Sequence, residues 1–278
     1  MSYKTIVVHL DTSQRAHPRL EMALRLAKQF GAHLTGVFAV FSLDPRSLYV
    51  MDGTAGYYTA HEQLRDERRG AIERLFHAEL SRAEVAGEWI AVDDPANLAV
   101  PVRGRYADLV IASQDDPHDP ESYVGDYFPE NLVMSTGRPV LLVPHATRVA
   151  LPGDHVMVCW DGSREATRAV HDALPFMRTA RLTTIVAVNG AHREPGTRIP
   201  GADIATVIAR HGIRVGIKDV DAGSAEPIGE TLLSEAADLG ADLLVMGAYG
   251  HPRWRELVMG GATRTVLKSM TVPVLMSH

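Results

Sequence analysis

Short apolar runs alternate along this chain with longer stretches in which apolar residues return every three or four positions. The runs at residues 5–10, 33–41, 182–188, 213–220, 241–246 and 272–276 predict strands. Between them, Leu20, Ala23, Leu24, Ala27 and Phe30 mark one helical face, and Ala166, Val170, Ala173, Leu174 and Met177 mark another. Longer helices are expected over 60–86, over 225–239 with Ser224 as its cap, and over 261–270. Pro101 and Pro175 fall inside helical stretches and predict short or kinked helices there. The strand runs lack strict alternation of apolar and polar residues, which points to parallel strands covered on both faces.

The pattern is written twice. Ile6-Val-Val-His-Leu-Asp11-Thr-Ser13 is matched by Val156-Met-Val-Cys-Trp-Asp161-Gly-Ser163, each ending in a serine suited to cap a helix. Ala107-Asp-Leu-Val-Ile matches Ala241-Asp-Leu-Leu-Val, and Pro139-Val-Leu-Leu matches Pro273-Val-Leu-Met, with no gap between these anchors. Two coincidences at one offset indicate a duplication. Each half alternates strands and helices, and right-handed crossovers then give two tandem doubly wound α/β domains, each with an open five-stranded, mostly parallel sheet. A proline-containing linker at 145–153 divides domains expected at 1–147 and 148–278. The insertion at 42–58 reads either as a lid over a neighbouring site or as a surface loop or subunit contact.

Composition narrows the class. The chain has 278 residues, 46% hydrophobic and 22% charged, which suits core-forming domains and not a disordered chain. A formal charge of −6 argues against nucleic acid or an anionic membrane as the main partner. The first strand begins almost at the N-terminus, so no signal peptide is expected, and no apolar run reaches the ~20 residues of a membrane span. Cys159 is the one cysteine and lies within an apolar run, as a buried thiol in a reducing cytoplasm would. The 13 histidines show no ligand spacing, so no metal site is expected from them.

The candidate chemistry lies at 246–263. Gly247 and Gly250 close one strand, and Gly260 and Gly261 open a helix. Glycines at these places let backbone N–H groups approach an anion without a Cβ in the way, and a helix N-terminus adds its uncompensated donors. In an open parallel sheet, ligands sit beyond the carboxyl ends of the strands, where strand order reverses. There Trp160, Val188 and Met246 offer apolar contacts to a base, and Asp161 a carboxylate to a ribose or base. Ala262 and the Thr263 hydroxyl join the glycine amides as phosphate donors, with Arg253 and Arg255 in the loop between. Each has a plainer reading: the glycines as turns, Asp161 as a helix cap, Trp160 as core, the arginines as solvated charges. Their convergence at one end of one sheet favours the ligand.

These motifs resemble the universal stress protein family. Its nucleotide-binding members carry Gly, two residues, Gly, nine residues, Gly, then Ser or Thr, a spacing that Gly247, Gly250 and Gly260 match. Asp161-Gly-Ser163 is similar to the family's opening signature, and Val272-Pro-Val-Leu to its closing strand. The resemblance implies a tandem protein of adenine nucleotide alpha hydrolase-like fold. It implies ATP, with magnesium as an accompanying ion, held by the glycine loop, with Asp161 at the nucleoside and the last strands pairing the domains. Gly261 stands where the family has Ser or Thr. In the first half, Ser113, Asp116 and Asp126 occupy the three glycine positions, and the acidic loop 115–121 disfavours phosphate. One nucleotide site is therefore expected, in the second half. The acidic loop with His118 reads as a solvated proline-rich turn or a metal loop.

No Walker A lysine is present and no nucleophile and base stand in order, so a nucleotide-dependent stress regulator is favoured over an enzyme. A slow ATP hydrolase or phosphotransfer enzyme on the same pocket is the alternative, and a scaffold that binds no nucleotide the third reading. Residues 140–143 and 272–276 are expected to pair within the chain, and exposed strand edges offer a homodimer contact.

Overall fold

The computed structural model describes residues 2–40, 55–145, 151–188, 201–221, 227–250 and 261–278, with side chains 55–65 set aside. The chain forms two compact units, Tyr3–Thr136 and Gly137–His278. The 42–58 insertion falls largely outside the described residues, as do Ser224, Arg253, Arg255 and Gly260.

The first unit runs β1 (Thr5–Leu10), α1 (Ala16–Phe30), β2 (His33–Phe38), α2 (Ala55–Ala83), β3 (Gly87–Ala91), α3 (Ala96–Gly104), β4 (Leu109–Ser113) and α4 (Phe128–Thr136). Its strands lie in the order β3-β2-β1-β4 and are parallel throughout. The second unit begins with β5 (Val140–Val143). It continues as β6 (His155–Cys159), α5 (Arg164–Asp172), α6 (Leu174–Met177), β7 (Leu182–Val188), α7 (Ala202–Ala209) and β8 (Val215–Val220). It ends with α8 (Ile228–Leu239), β9 (Leu243–Gly247), α9 (Gly261–Ser269) and β10 (Val274–Ser277). Its order is β5-β10-β9-β6-β7-β8, parallel except that β5 runs antiparallel to β10. The expected pairing of the two closing strands is thus present, with Leu141 opposite Leu275.

The parallel α/β architecture read from the apolar runs is the one observed. β1, β4, β6 and β9 are buried almost end to end, because helices cover both faces of each sheet. All five marker residues of α1 are buried. The repeated Ala-Asp-Leu motif has a structural reason. Asp108 Oδ2 accepts the Lys4 and Thr5 amides at 2.7 and 3.0 Å, and Asp242 accepts those of Gly153, Asp154 and His155 at 3.0 to 3.1 Å. In each unit, an aspartate before one central strand fixes the start of the other.

The prolines act differently at their two places. Pro175 divides the expected second-half helix into α5 and α6. Pro101 stays inside α3, and the carbonyl its missing N–H leaves, that of Asn97, accepts the Asn131 side-chain amide at 2.7 Å instead. The helix expected over 225–239 starts later, at Ile228. Pro227, at φ −64° and ψ 123°, stands extended before it and offers no side-chain cap. The long helix expected over 60–86 spans Ala55–Ala83, and Glu84 leaves it in the left-handed region at φ 56°.

Candidate functional site

Strand order reverses between β6 and β9 in the second unit, so a crevice must open at their carboxyl ends. A cavity of about 400 Å³ occupies that place. Strand ends supply Trp160, Asp161, Val188, Met246 and Gly247, the following turn supplies Gly250, and the first turn of α9 supplies Gly261, Ala262 and Thr263. Nine of the twelve residues singled out from the sequence therefore line one hollow. The other three, Arg253, Arg255 and Gly260, lie outside the described residues.

Strand position decides which side chains meet there. β6 ends at Cys159, but the chain stays extended for one more residue, since the Trp160 amide donates to Val186 O at 2.9 Å. Trp160 is half-buried and Asp161 exposed. Asp161 Oδ1 accepts the Ser163 amide at 2.8 Å, and Ser163 Oγ accepts the Ala166 amide at 3.1 Å. Ser163, not Asp161, is thus the cap of α5, and Asp161 shapes the turn that leads to it. On the opposite side, Ala248 donates to Ser277 O at 2.9 Å and its own carbonyl pairs with His278 Nδ1, which fixes the chain beyond β9.

Two of the glycines serve the helix next door. A Cβ at Gly247 would lie 2.4 Å from the Ala166 nitrogen, and one at Gly250 would lie 2.8 Å from Glu165 Oε2. Their bareness lets the first turn of α5 rest against the end of β9. Gly261 differs, because among the described residues a Cβ there would meet nothing within 4 Å. Gly261 and Ala262 border the cavity from the first turn of α9, whose amides have no partner inside the helix, and Thr263 beside them is buried.

The sequence missed several wall residues. Val186, Pro227, Ile228, Leu232 and Tyr249 also line the cavity. Ile228 and Leu232, four apart on α8, gave a helical signal that reads equally as core. Tyr249 adopts φ 58°, a conformation that nothing in the local sequence announces. Cys159 borders the hollow as a free buried thiol, pushed up to about 12 by burial and by Asp161, so it stays neutral.

In the first unit the corresponding space is closed. The strand registers Ile6↔Leu109 and Val156↔Leu243 superpose the two repeats. His9 then stands for Cys159, Arg19 for Ala169, and Phe128 for Ala262. Phe128 is buried with its ring centre 4.8 Å from that of His9. Arg19, 1% exposed, pairs with Asp11 at 2.8 Å and reaches Ser113 Oγ. About 10 Å³ remains, scarcely room for one water. Ser13 gives its hydroxyl to Asp11 at 2.5 Å and does not cap α1, contrary to the expectation from its motif. The acidic loop is exposed over most of its length, as a solvated turn would be, and of residues 115–121 only Asp119 is buried. Asp119 is buried and accepts the Gln14 amide at 2.8 Å, while Glu121 accepts Thr12 Oγ1 at 2.6 Å. The chain's own carboxylates take up the donors of this turn. Among the described residues, no group of three His, Cys, Asp or Glu is placed to hold a metal ion, and no helix is long and apolar enough to cross a membrane.

Residues 153–278 match the model of the universal stress protein family. Universal stress protein Slr1230 of Synechocystis sp. is 28% identical over 147 residues, 52% of this chain and 49% of that protein, so the chain spans about half the length of this curated relative. Among solved structures, a universal stress protein from Archaeoglobus fulgidus aligns over 98% of this chain and 95% of its own, with a TM-score of 0.71 and 18% identity. Protein PA1789 of Pseudomonas aeruginosa, described as functionally unknown, aligns over 99% and 92%, with a TM-score of 0.59 and 15% identity. At these identities the likeness is one of fold.

Proposed function

We propose that this chain, whose residues 153–278 match the universal stress protein family model, binds an adenine nucleotide, ATP foremost, at one site in the second unit and acts as a nucleotide-dependent regulator of the stress response. The observation that carries this reading is the contrast between the repeats. One keeps a hollow of about 400 Å³ opening onto a helix N-terminus, and the other fills it with Phe128, His9 and Arg19.

The wall suits a nucleoside with an anionic tail. Val186, Val188, Leu232 and Met246 offer apolar surface to a purine, and Asp161 a carboxylate to hydroxyl or amino groups. The Gly261 and Ala262 amides and the positive end of α9 offer themselves to phosphate oxygens, with Thr263 one position on. Gly261 leaves open the place that a side chain would fill. Magnesium would arrive with the nucleotide, neutralising charge between phosphate oxygens. We read the site as one for binding and not turnover, in a cytoplasmic protein, and the single buried thiol is in keeping with that compartment.

Titration calorimetry with ATP, ADP, AMP and GTP tests the proposal, together with mass spectrometry of nucleotide carried through purification. Binding of one equivalent of ATP, weakened at least tenfold by Gly261→Pro, is the expected result. No binding at millimolar ATP would overturn the reading in favour of a scaffold. Steady phosphate release that disappears in a Gly250→Asp variant would replace it with slow hydrolysis.

A further inference from the structure

A carboxylate lies buried behind the glycines of the cavity wall. Glu165, in the first turn of α5, is 4% exposed. A Cβ at Gly247 would come within 2.9 Å of the Glu165 Cβ, and one at Gly250 within 2.8 Å of its Oε2. Both glycines line the cavity, and Glu165 itself does not. The glycine backbone is therefore what stands between this charge and a ligand.

The charge is poorly compensated. Glu165 Oε1 accepts Arg164 Nε at 2.7 Å, but the Arg164 side chain is 89% exposed, so water screens the guanidinium. Oε2 is buried and has no hydrogen-bond partner among the described residues. Burial pushes the Glu165 pKa up, while hydrogen bonds from Arg164 and from its own amide pull it down by more. The group lies below the ordinary carboxylate range and is ionised at neutral pH. A buried oxygen without a donor costs stability, so its presence calls for a reason. Among the described residues that line the cavity, Asp161 is the one charged side chain, and it too is negative.

The first repeat provides an internal control. Ser13 and Ala16 correspond to Ser163 and Ala166, so Arg15 stands where Glu165 does. The connection from strand to helix accepts a cation at this position, and the fold makes no demand for a carboxylate. The sign follows the space it faces. Arg15 borders the filled space of the first unit together with Asp11 and Asp115, and Glu165 backs the open one.

We propose that Glu165 makes the second-unit site selective for the charge of its ligand: phosphate groups enter with a divalent cation, and a free polyphosphate is turned away. The proposal rests on the nucleotide reading above and adds a residue that sets its ligand form. For two unit charges about 8 Å apart across Gly250, at an effective dielectric of about 20, the opposition amounts to about thirtyfold in affinity. Each further phosphate adds charge to be opposed, whereas the free amides of the α9 N-terminus are few. A divalent cation on the phosphates removes the opposition at its source.

Titration calorimetry of the full chain with ATP and AMP, in magnesium and in EDTA at matched ionic strength, tests this. Wild-type protein is expected to bind ATP about thirtyfold more tightly in magnesium than in EDTA. In EDTA it should bind AMP more tightly than ATP. Glu165→Gln, with its denaturation midpoint checked in urea, should shrink the magnesium effect about tenfold, chiefly by tightening cation-free ATP. ATP bound equally with and without magnesium, ATP preferred to AMP in EDTA, or a magnesium effect undiminished in the glutamine variant would each overturn the proposal and leave nucleotide binding standing. No binding of either nucleotide in any condition would overturn both readings. The comparison of AMP with ATP uses wild-type protein, so it decides the matter even where the variant does not fold.

Discussion

Replacing Ala262 with phenylalanine should close the second-unit cavity in the way the first unit closes its own. Phe128 occupies the matching position, where it is 1% exposed against His9. A ring at 262 would enter a hollow of about 400 Å³, at the lower end of the roughly 300–1,000 Å³ of small-molecule sites, so a purine and a phenyl ring would compete for one floor. If the purine buries on the order of 120 Å² of apolar surface there, its loss costs about 3 kcal/mol at 25 cal/mol per Å². That is roughly a hundredfold in affinity. Folding should respond in the opposite direction, since burying a phenylalanine side chain contributes about 1.5–3 kcal/mol, less any cost of repacking. Calorimetry with ATP and urea denaturation of the same protein therefore give the two halves of the answer. The reasoning is refuted if affinity is unchanged, because the cavity is then not the seat of the ligand. It is refuted equally if binding and stability fall together, because the cavity is then not room that a ring can fill.

Three further outcomes follow from the filled repeat and the glycines. Breaking the buried Asp11–Arg19 pair with Arg19→Ala should destabilise the protein by about 3–5 kcal/mol in urea, whereas a double Asp11→Leu/Arg19→Met variant should recover most of that. His9 has its pKa lowered from 6.5 to about 4 by burial and by Arg19, against the opposing pull of Asp11 and its bond to Ala39 O. Between those values the unfolded chain holds a proton that the folded chain refuses. Stability is therefore full above pH 6.5 and lost as pH falls towards 4, by about 3 kcal/mol at 1.36 kcal/mol per unit. His9→Gln should flatten that part of the pH profile of the denaturation midpoint, and an unchanged slope would show that another group is responsible. Gly247→Ala forces a methyl to within 2.4 Å of the Ala166 nitrogen and should cost about 1–3 kcal/mol whether or not nucleotide is added. A loss of binding with no loss of stability would show that this glycine serves the ligand and not α5.

Much of the fold was legible because the forces that set it are periodic. Apolar runs gave the strands, a spacing of three to four gave the helices, and the recurring Ala-Asp-Leu and Pro-Val-Leu anchors gave the duplication. Asp108 and Asp242 show why such an anchor recurs, each holding the start of the neighbouring central strand. What the sequence withheld depends on contacts far along the chain. Ser13 and Ser163 occupy one motif position, yet only Ser163 caps its helix, because Arg19 draws Asp11 inward and Asp11 takes the Ser13 hydroxyl. Tyr249 belongs to the cavity through a backbone geometry that leaves no spacing signal, and the helical spacing of Ile228 and Leu232 does not tell cavity wall from core.

The two units show what it takes to turn a ligand hollow into protein core on an unchanged strand frame. Charge alone would not suffice, since an acidic loop over an open cavity still leaves a wet crevice. In the first unit the volume is taken by large side chains, Phe128, His9 and Arg19, where the second has Ala262, Cys159 and Ala169. Placing an arginine in that space then requires a carboxylate, and Asp11 supplies it from the position that Asp161 holds at the cavity wall. The helix start shifts with it. Ser113 stands where Gly247 lets α5 approach, and α1 begins only at Ala16 with no side-chain cap. Asp119 and Glu121 then satisfy the donors of the exposed turn. Each change depends on the others, so single reversions in the first unit should cost stability without opening a site. Phe128→Ala, at about 3–5 kcal/mol, should still bind no nucleotide in calorimetry of a protein whose second site is blocked by Ala262→Phe. Recovery of binding in that variant would mean that one ring, and not the linked set of residues, keeps the first unit closed.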